Sequence, residues 1–253
     1  MTIAIVVKVG EGLVLGADSA VSLPTPAGTI AHIFNYGRKL YNVLDYPIGI
    51  VTWGLGMIEN RNIESLIKEF ENTEQVIAQK KDWMVKDLAK LLFTFMQSKY
   101  NSSPFQQMKP PPQLGMMIAG YSNNTFFPEV YEIVIPTNNS PEELFPAQNG
   151  KPQFGSMWRG MTDALVRLLN GGDEKLLKQI KQSDPNFQGI PYTITFDLMP
   201  LQDAVDFTIW CLNVTLGRWR FVAGPPLCGG EIDVAAITHD RRFVWLKEKK
   251  LHA

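Results

Sequence analysis

Near its start the chain reads Thr2-Ile3-Ala4-Ile5-Val6-Val7-Lys8-Val9 and, after Gly10-Glu11, Gly12-Leu13-Val14-Leu15-Gly16-Ala17-Asp18. Two runs rich in Val, Ile and Leu, separated by glycine, predict a β-hairpin. Side chains alternate across a strand, so Thr2, Ala4, Val6 and Lys8 share one face of the first run, and Val14, Gly16 and Asp18 one face of the second. A three-residue loop Val9-Gly10-Glu11 would pair Lys8 with Gly12, Val6 with Val14, Ala4 with Gly16 and Thr2 with Asp18. A hydroxyl and a carboxylate would then stand side by side, with Cβ atoms about 5 Å apart. A two-residue loop would send them to opposite faces.

The rest of the composition supports a folded, uncharged background. The 253 residues are 45% hydrophobic and 19% charged, and 24 basic against 25 acidic residues leave a net charge of −1. That length hides about 70–75% of the unfolded surface without staples, and the charge balance offers no electrostatic footprint for nucleic acid or an anionic membrane. The longest mostly apolar run, Pro47 to Ile58, falls short of the roughly 20 residues that span a bilayer. No signal-peptide pattern precedes the first strand, so a cytoplasmic location is expected. Two cysteines, Cys211 and Cys228, and three histidines, His32, His239 and His252, form no disulfide framework and no metal-ligand spacing, and no cofactor or metal is expected.

Further along, Arg38 to Val43 and Ile48 to Trp53 predict a second strand pair, and Gly54-Leu55-Gly56 a break. Helical spacing follows over Met57, Ile58, Ile63, Leu66, Ile67 and Phe70, and again from Trp83 to Phe95. Pro24 to Asn35 and Asn101 to Gln113 predict loops, with strands at Leu114 to Tyr121 and Val130 to Ile135. Ser156 precedes a helical pattern (Trp158, Met161, Leu165, Leu168, Leu169) ended by Gly171-Gly172. A short polar helix is expected over Glu174 to Gln182, a longer one from Asp203 to Leu216 ended at Gly217, and closing strands at Glu231 to Thr238 and Phe243 to Leu246. Strands, helices, strands, helices, strands describe a sheet-on-sheet core with helices outside. Gly54-Leu55-Gly56 lacks the third glycine and the acidic ribose ligand of a dinucleotide loop.

The opening hairpin resembles that of proteasome β-type subunits in the N-terminal-nucleophile hydrolase superfamily, where a nucleophilic Thr leads the mature chain and an Asp follows sixteen positions later, as Asp18 follows Thr2. Gly37-Arg38-Lys39-Leu40-Tyr41 resembles the strand bearing that family's catalytic Lys. Gly54-Leu55-Gly56 resembles its oxyanion-hole Gly-x-Gly, Gly155-Ser156 its helix-leading Gly-Ser, and Cys228-Gly229-Gly230 its Ser-Gly-Gly. The matches run from residue 2 to residue 238. The resemblance implies an α+β, four-layer αββα sandwich of two mainly antiparallel sheets, a single domain over 1–253. It also implies a threonine-type peptidase that acts on peptide or unfolded-protein substrates. A homo-oligomeric ring fed by an ATP-dependent unfoldase comes with it. A small-molecule amidohydrolase and an inactive scaffold subunit are the alternatives. Where that family places an Asp three residues before Ser-Gly-Gly this chain has Pro225, and Cys228 replaces the Ser.

The chemistry stands apart from the resemblance. With Met1 removed, the α-amine of Thr2, with a reference pKa of about 7.7–8.0, sits beside its own hydroxyl and can serve as its base. Lys39 would favour the alkoxide, with Asp18 holding Lys39 charged and oriented. The Gly56 amide would receive the oxyanion, and Ser156 would support the amine. Taken singly, Asp18 also reads as a turn cap, Lys39 as a solvated strand residue and Ser156 as a helix N-cap. Cys228 reads as a small buried residue.

Overall fold

The computed structural model describes residues 2–24, 30–79, 82–187 and 191–250. Met1 and the tip of the loop expected at Pro24 to Asn35 lie outside them. In chain order the elements are β1 (Ile3–Val9), β2 (Gly12–Ala17), β3 (Val21–Pro24), β4 (Ile30–Phe34), β5 (Leu40–Asn42), β6 (Ile48–Gly54), β7 (Met57–Ile58), β8 (Arg61–Asn62), α1 (Ile63–Glu71), α2 (Glu74–Ala78) and α3 (Val85–Asn101). Next come β9 (Leu114–Gly120), β10 (Glu129–Ile135), β11 (Glu142–Leu144), β12 (Gly155–Gly160), α4 (Asp163–Leu169), α5 (Glu174–Ser183), α6 (Leu201–Phe221), β13 (Asp233–Thr238) and β14 (Arg242–Lys247). Two five-stranded sheets result, in the orders β12-β1-β2-β13-β14 and β11-β10-β9-β6-β5, and every described pairing within them is antiparallel.

Three apolar layers hold the sandwich together. Ala4, Val6, Leu13 and Leu15 meet Val51, Met117 and Ala119 between the sheets. Ile3, Ile5, Val7 and Val14 face outward onto Leu165 of α4 and Leu212 of α6. On the far side Ile50, Ile118 and Ile133 pack on Phe70 of α1 and Leu88 and Leu92 of α3. Successive residues of β1 thus serve two different cores, which explains why the opening run is apolar throughout instead of alternating. This is the four-layer αββα arrangement expected from the sequence. Among the described residues no helix is long and apolar enough to cross a membrane.

Several local expectations need correction. The opening hairpin turns through the two residues Gly10-Glu11, pairing Val9 with Gly12, Ile5 with Gly16 and Ala4 with Ala17. The three-residue register that would set Thr2 directly opposite Asp18 is therefore wrong. Residues 155–160, read as the approach to a helix, form β12, with Ser156 opposite Val7. The reason is tertiary: β1 would otherwise present an unpaired edge, and β12 fills it. Met157 then packs between the sheets and Trp158 against the outer helices, the period of a strand. Met57 and Ile58 lie in the small β7–β8 hairpin. α1 starts only at Ile63, where the Asn62 side chain accepts the Ser65 N–H. Ile30–Phe34, inside the expected loop, forms a strand and pairs with Val21–Pro24 at the loop's start. α6 passes through Gly217 and ends at Phe221.

At Gly16, α6 packs directly against the first sheet. A Cβ there would lie 2.7 Å from the Thr208 methyl and 2.9 Å from a Leu212 methyl. Gly16→Val is expected to push α6 outward and lower unfolding stability by about 1–3 kcal/mol, read as a lower urea midpoint at unchanged slope.

Candidate active site

At one end of the sandwich the start of β1, the end of β2, the start of β5 and the end of β6 converge. Asp18, fully buried just past β2, gathers donors from four segments. Its Oδ1 accepts the Lys39 ammonium at 2.7 Å and the Ile3 N–H at 3.1 Å, and its Oδ2 the Gly229 N–H at 3.1 Å and the Ala20 N–H at 3.3 Å. β2 ends at Ala17, so the pleat no longer dictates where the Asp18 side chain points, and these bonds do. That is how Asp18 and the Thr2 corner meet in spite of the two-residue turn.

Lys39 is itself 6% exposed. Its carbonyl accepts the Thr52 N–H at 2.9 Å, which fixes the backbone from which the side chain extends. Burial pulls its pKa below the ordinary lysine value, and the Asp18 carboxylate opposes that shift. Cys228 stands in the same corner, 2% exposed. Burial, aided by Asp18, pushes its thiol up to about 12, so it stays protonated and serves as packing, in line with its reading as a small buried residue. The Cys228-Gly229-Gly230-Glu231 segment is stitched to β2 by Ser19 N–H on Gly229 O at 3.1 Å and Ser19 Oγ on Glu231 O at 2.5 Å. A second buried pair, Lys249 with Asp233, ties the chain after β14 to the same end.

Above this base opens a cavity of about 590 Å³ lined by Thr2, Lys39, Thr52 and Gly54-Leu55-Gly56, with aromatic walls from Phe34, Tyr36, Tyr41 and Trp53 and a rim that includes Lys249. Of the residues singled out in the sequence, Thr2, Lys39 and Gly56 share the cavity, and Asp18 lies directly behind Lys39. Ser156 does not join them. It pairs with Val7, five residues along β1 from Thr2, about 16 Å at the rise of a strand. The segment that does reach Thr2 is the β12–α4 junction, where Met161 N–H donates to Thr2 O at 2.7 Å.

The ladder also separates the two glycines. Leu55 N–H donates to Gln113 O beside β9, while Thr52 N–H donates to Lys39 O on the opposite edge of β6. Backbone groups two residues apart leave a strand on the same side, so Gly54 directs its N–H toward the edge that Thr52 uses. β5 does not continue there, and the cavity begins. Gly54 has φ of +83° and its missing Cβ would lie 2.1 Å from Gln113 O, so only glycine fits. A Cβ on Gly56 would meet only a Val21 methyl at 3.6 Å, an ordinary contact, and the Gly56 carbonyl accepts the Ile63 N–H. Sequence reading chose the second glycine of the triplet; strand parity counted from Thr52 would have pointed to the first.

This architecture is the N-terminal-nucleophile hydrolase type of fold, with the described polar cluster at the end of the sandwich where the first strand begins. Among solved structures, the chain is similar to a Gly-1 mutant of Anbu from Hyphomicrobium sp. strain MC1, at 16% identity and a TM-score of 0.54 over 98% of this chain and 86% of that one. It is similar as well to Anbu from Yersinia bercovieri, described as an ancestral beta-subunit, at 15% identity and a TM-score of 0.55 over 97% and 88% of the two chains. Identities this low show a shared fold. No family model and no curated protein matches the chain.

Lys39→Met is expected to destabilise the protein by about 3–5 kcal/mol, because it leaves the Asp18 carboxylate buried without its cation. Chemical denaturation of the variant beside the parent protein checks this; a loss below about 1 kcal/mol would show that the pair is not what orders this corner.

Proposed function

We propose that the chain is a proteasome-like hydrolase of amide bonds whose nucleophile is the Thr2 hydroxyl, made N-terminal by removal of Met1. The observation that carries this reading is that Thr2 shares one cavity with Gly54 and with a buried lysine clamped by a buried aspartate. A solvated lysine or a turn-capping aspartate would not be built this way, and a scaffold subunit has no need of a costly buried ion pair beside a cavity. The fold shared with the two Anbu structures supports the same reading.

The α-amine takes the proton of the Thr2 hydroxyl as Oγ attacks the substrate carbonyl carbon, and the Lys39 charge favours the developing alkoxide. The Gly54 amide, in place of the Gly56 amide expected from the sequence, receives the oxyanion, an interaction worth roughly 3–4 kcal/mol. The amine then passes its proton to the leaving nitrogen as the C–N bond breaks, leaving an acyl ester on Thr2. A water molecule, deprotonated by the same amine, hydrolyses the ester and regenerates the hydroxyl. Cavity walls of Phe34, Tyr36, Tyr41 and Trp53 suit apolar side chains of a peptide. Assembly into a homo-oligomeric ring, with an ATP-dependent unfoldase as its supplier, belongs to the same proposal, and a native mass corresponding to a monomer or dimer would favour the small-molecule amidohydrolase instead.

A peptide epoxyketone requires the free amine and the hydroxyl of one residue. Intact mass spectrometry should show loss of Met1 and a single adduct, and Thr2→Ala should abolish the adduct and lower peptide hydrolysis by roughly 10³-fold or more. Retained Met1, or an adduct that survives Thr2→Ala, overturns the assignment. The pH profile should be bell-shaped. Activity rises as the amine loses its proton near about 7.7–8.0. It falls again as Lys39 loses its charge, and because burial lowers that pKa the alkaline limb should lie below the free-lysine value of about 10.4. An alkaline limb at or above that value would show that the Lys39 charge is not used.

A further inference from the structure

Thr2 and Ile3 turn their backbone groups in opposite directions. Ile3 faces Asp18, its N–H donating to Oδ1 at 3.1 Å and its carbonyl accepting the Asp18 N–H at 3.3 Å. Thr2 faces the other way, its carbonyl accepting the Met161 N–H at 2.7 Å. The N–H and C=O of an extended residue leave the strand on the same side, so the Thr2 nitrogen faces the junction between β12 and α4.

Asp163 is the first residue of α4, two positions beyond Met161. Its Oδ2 receives an Arg218 N–H at 2.5 Å, while its Oδ1 is buried and finds no hydrogen-bond partner among the described residues. Two neighbours on α6, Arg218 Nη1 and Trp219 Nε1, are likewise buried without partners among the described residues, with the guanidinium 4.5 Å over the Trp219 ring. A buried acceptor with nothing to accept is costly unless a donor arrives.

We propose that Asp163 is a positioning residue for the reaction at Thr2, its open Oδ1 accepting a hydrogen bond from the Thr2 α-amine once Met1 is removed, with Arg218 holding the carboxylate in place. The proposal rests on the reading of Thr2 as the leading residue. The charged and titratable groups around Thr2 are then Lys39 with Asp18 on the β2 and β5 side, Lys249 with Asp233 at the end of β14 and on β13, Cys228 on the segment beside β13, and Asp163 with Arg218 on the α4 and α6 side. Lys39 disfavours a proton on the amine. Asp163 offsets it from the opposite side, keeping the amine basic enough to take the hydroxyl proton and fixing the direction of its lone pair.

The test uses the chain beginning at Thr2, released from a cleavable fusion, so that it does not depend on natural processing. Competitive acetylation of the α-amine by isotopically labelled acetic anhydride across pH, read by mass spectrometry, reports the amine's titration whether or not the protein is active. Asp163→Asn should lower that titration by about one pH unit, and Arg218→Met, which removes a neighbouring positive charge, should raise it. Opposite shifts in the two variants support the proposal, and their absence, or shifts of one sign, overturn it. With a peptide substrate, Asp163→Asn should lower kcat about tenfold or more with KM changed less than about twofold, and the acidic limb should move with the amine's titration. A parent protein that takes no epoxyketone adduct but shows the opposite shifts would sink the peptidase reading and leave the role of Asp163 standing.

Discussion

The organisation of this protein depends on one buried carboxylate. Asp18 carries about four acceptor positions, and four donors from four segments occupy them: Ile3 at the start of β1, Ala20 beyond β2, Lys39 before β5 and Gly229 before β13. A charge taken out of water must be compensated nearly completely or it unfolds its surroundings. Here the compensation fixes the position of a lysine relative to the first residues of the chain, across two different sheets. The cavity lies where the ends of these segments come together.

The site therefore belongs to no single element. Thr2 comes from the beginning of β1, Lys39 from the strand edge of the second sheet, and Gly54 from the last residue of β6, where β5 no longer supplies a partner. A strand that outlasts its neighbour leaves one backbone N–H facing open space, and a glycine with φ of +83° lets the chain turn away at once. The same logic operates at the other edge of β1. β12 pairs with it as far as Ile3 and Gly160, then gives way to α4, so the approach to Thr2 from that side is made by a junction and not by a strand.

Much of this was legible in the residues. The opening hairpin, the second strand pair, the long helices and the closing strands fall where apolar patterning places them, and Asp18 and Lys39 do meet. Two readings fail for tertiary reasons. The three-residue register would set Thr2 opposite Asp18, whereas the turn closes through Gly10-Glu11 and side-chain hydrogen bonds make the connection instead. Trp158, Met161 and Leu165 suit helical spacing after Ser156, yet the vacant edge of β1 draws residues 155–160 into a strand. The direction of a strand amide near Gly54 follows only from knowing where the neighbouring strand stops.

The order of apolar runs and breaks, by itself, determined a two-sheet sandwich covered by helices, because each run can bury its faces in only a few ways. It also determined the residue types available for chemistry at the start of the chain. Only the tertiary structure decided which of them share a cavity and where each strand loses its neighbour. Those are matters of strand ends and edges, where the local period of the backbone ceases to govern direction and long-range hydrogen bonding takes over.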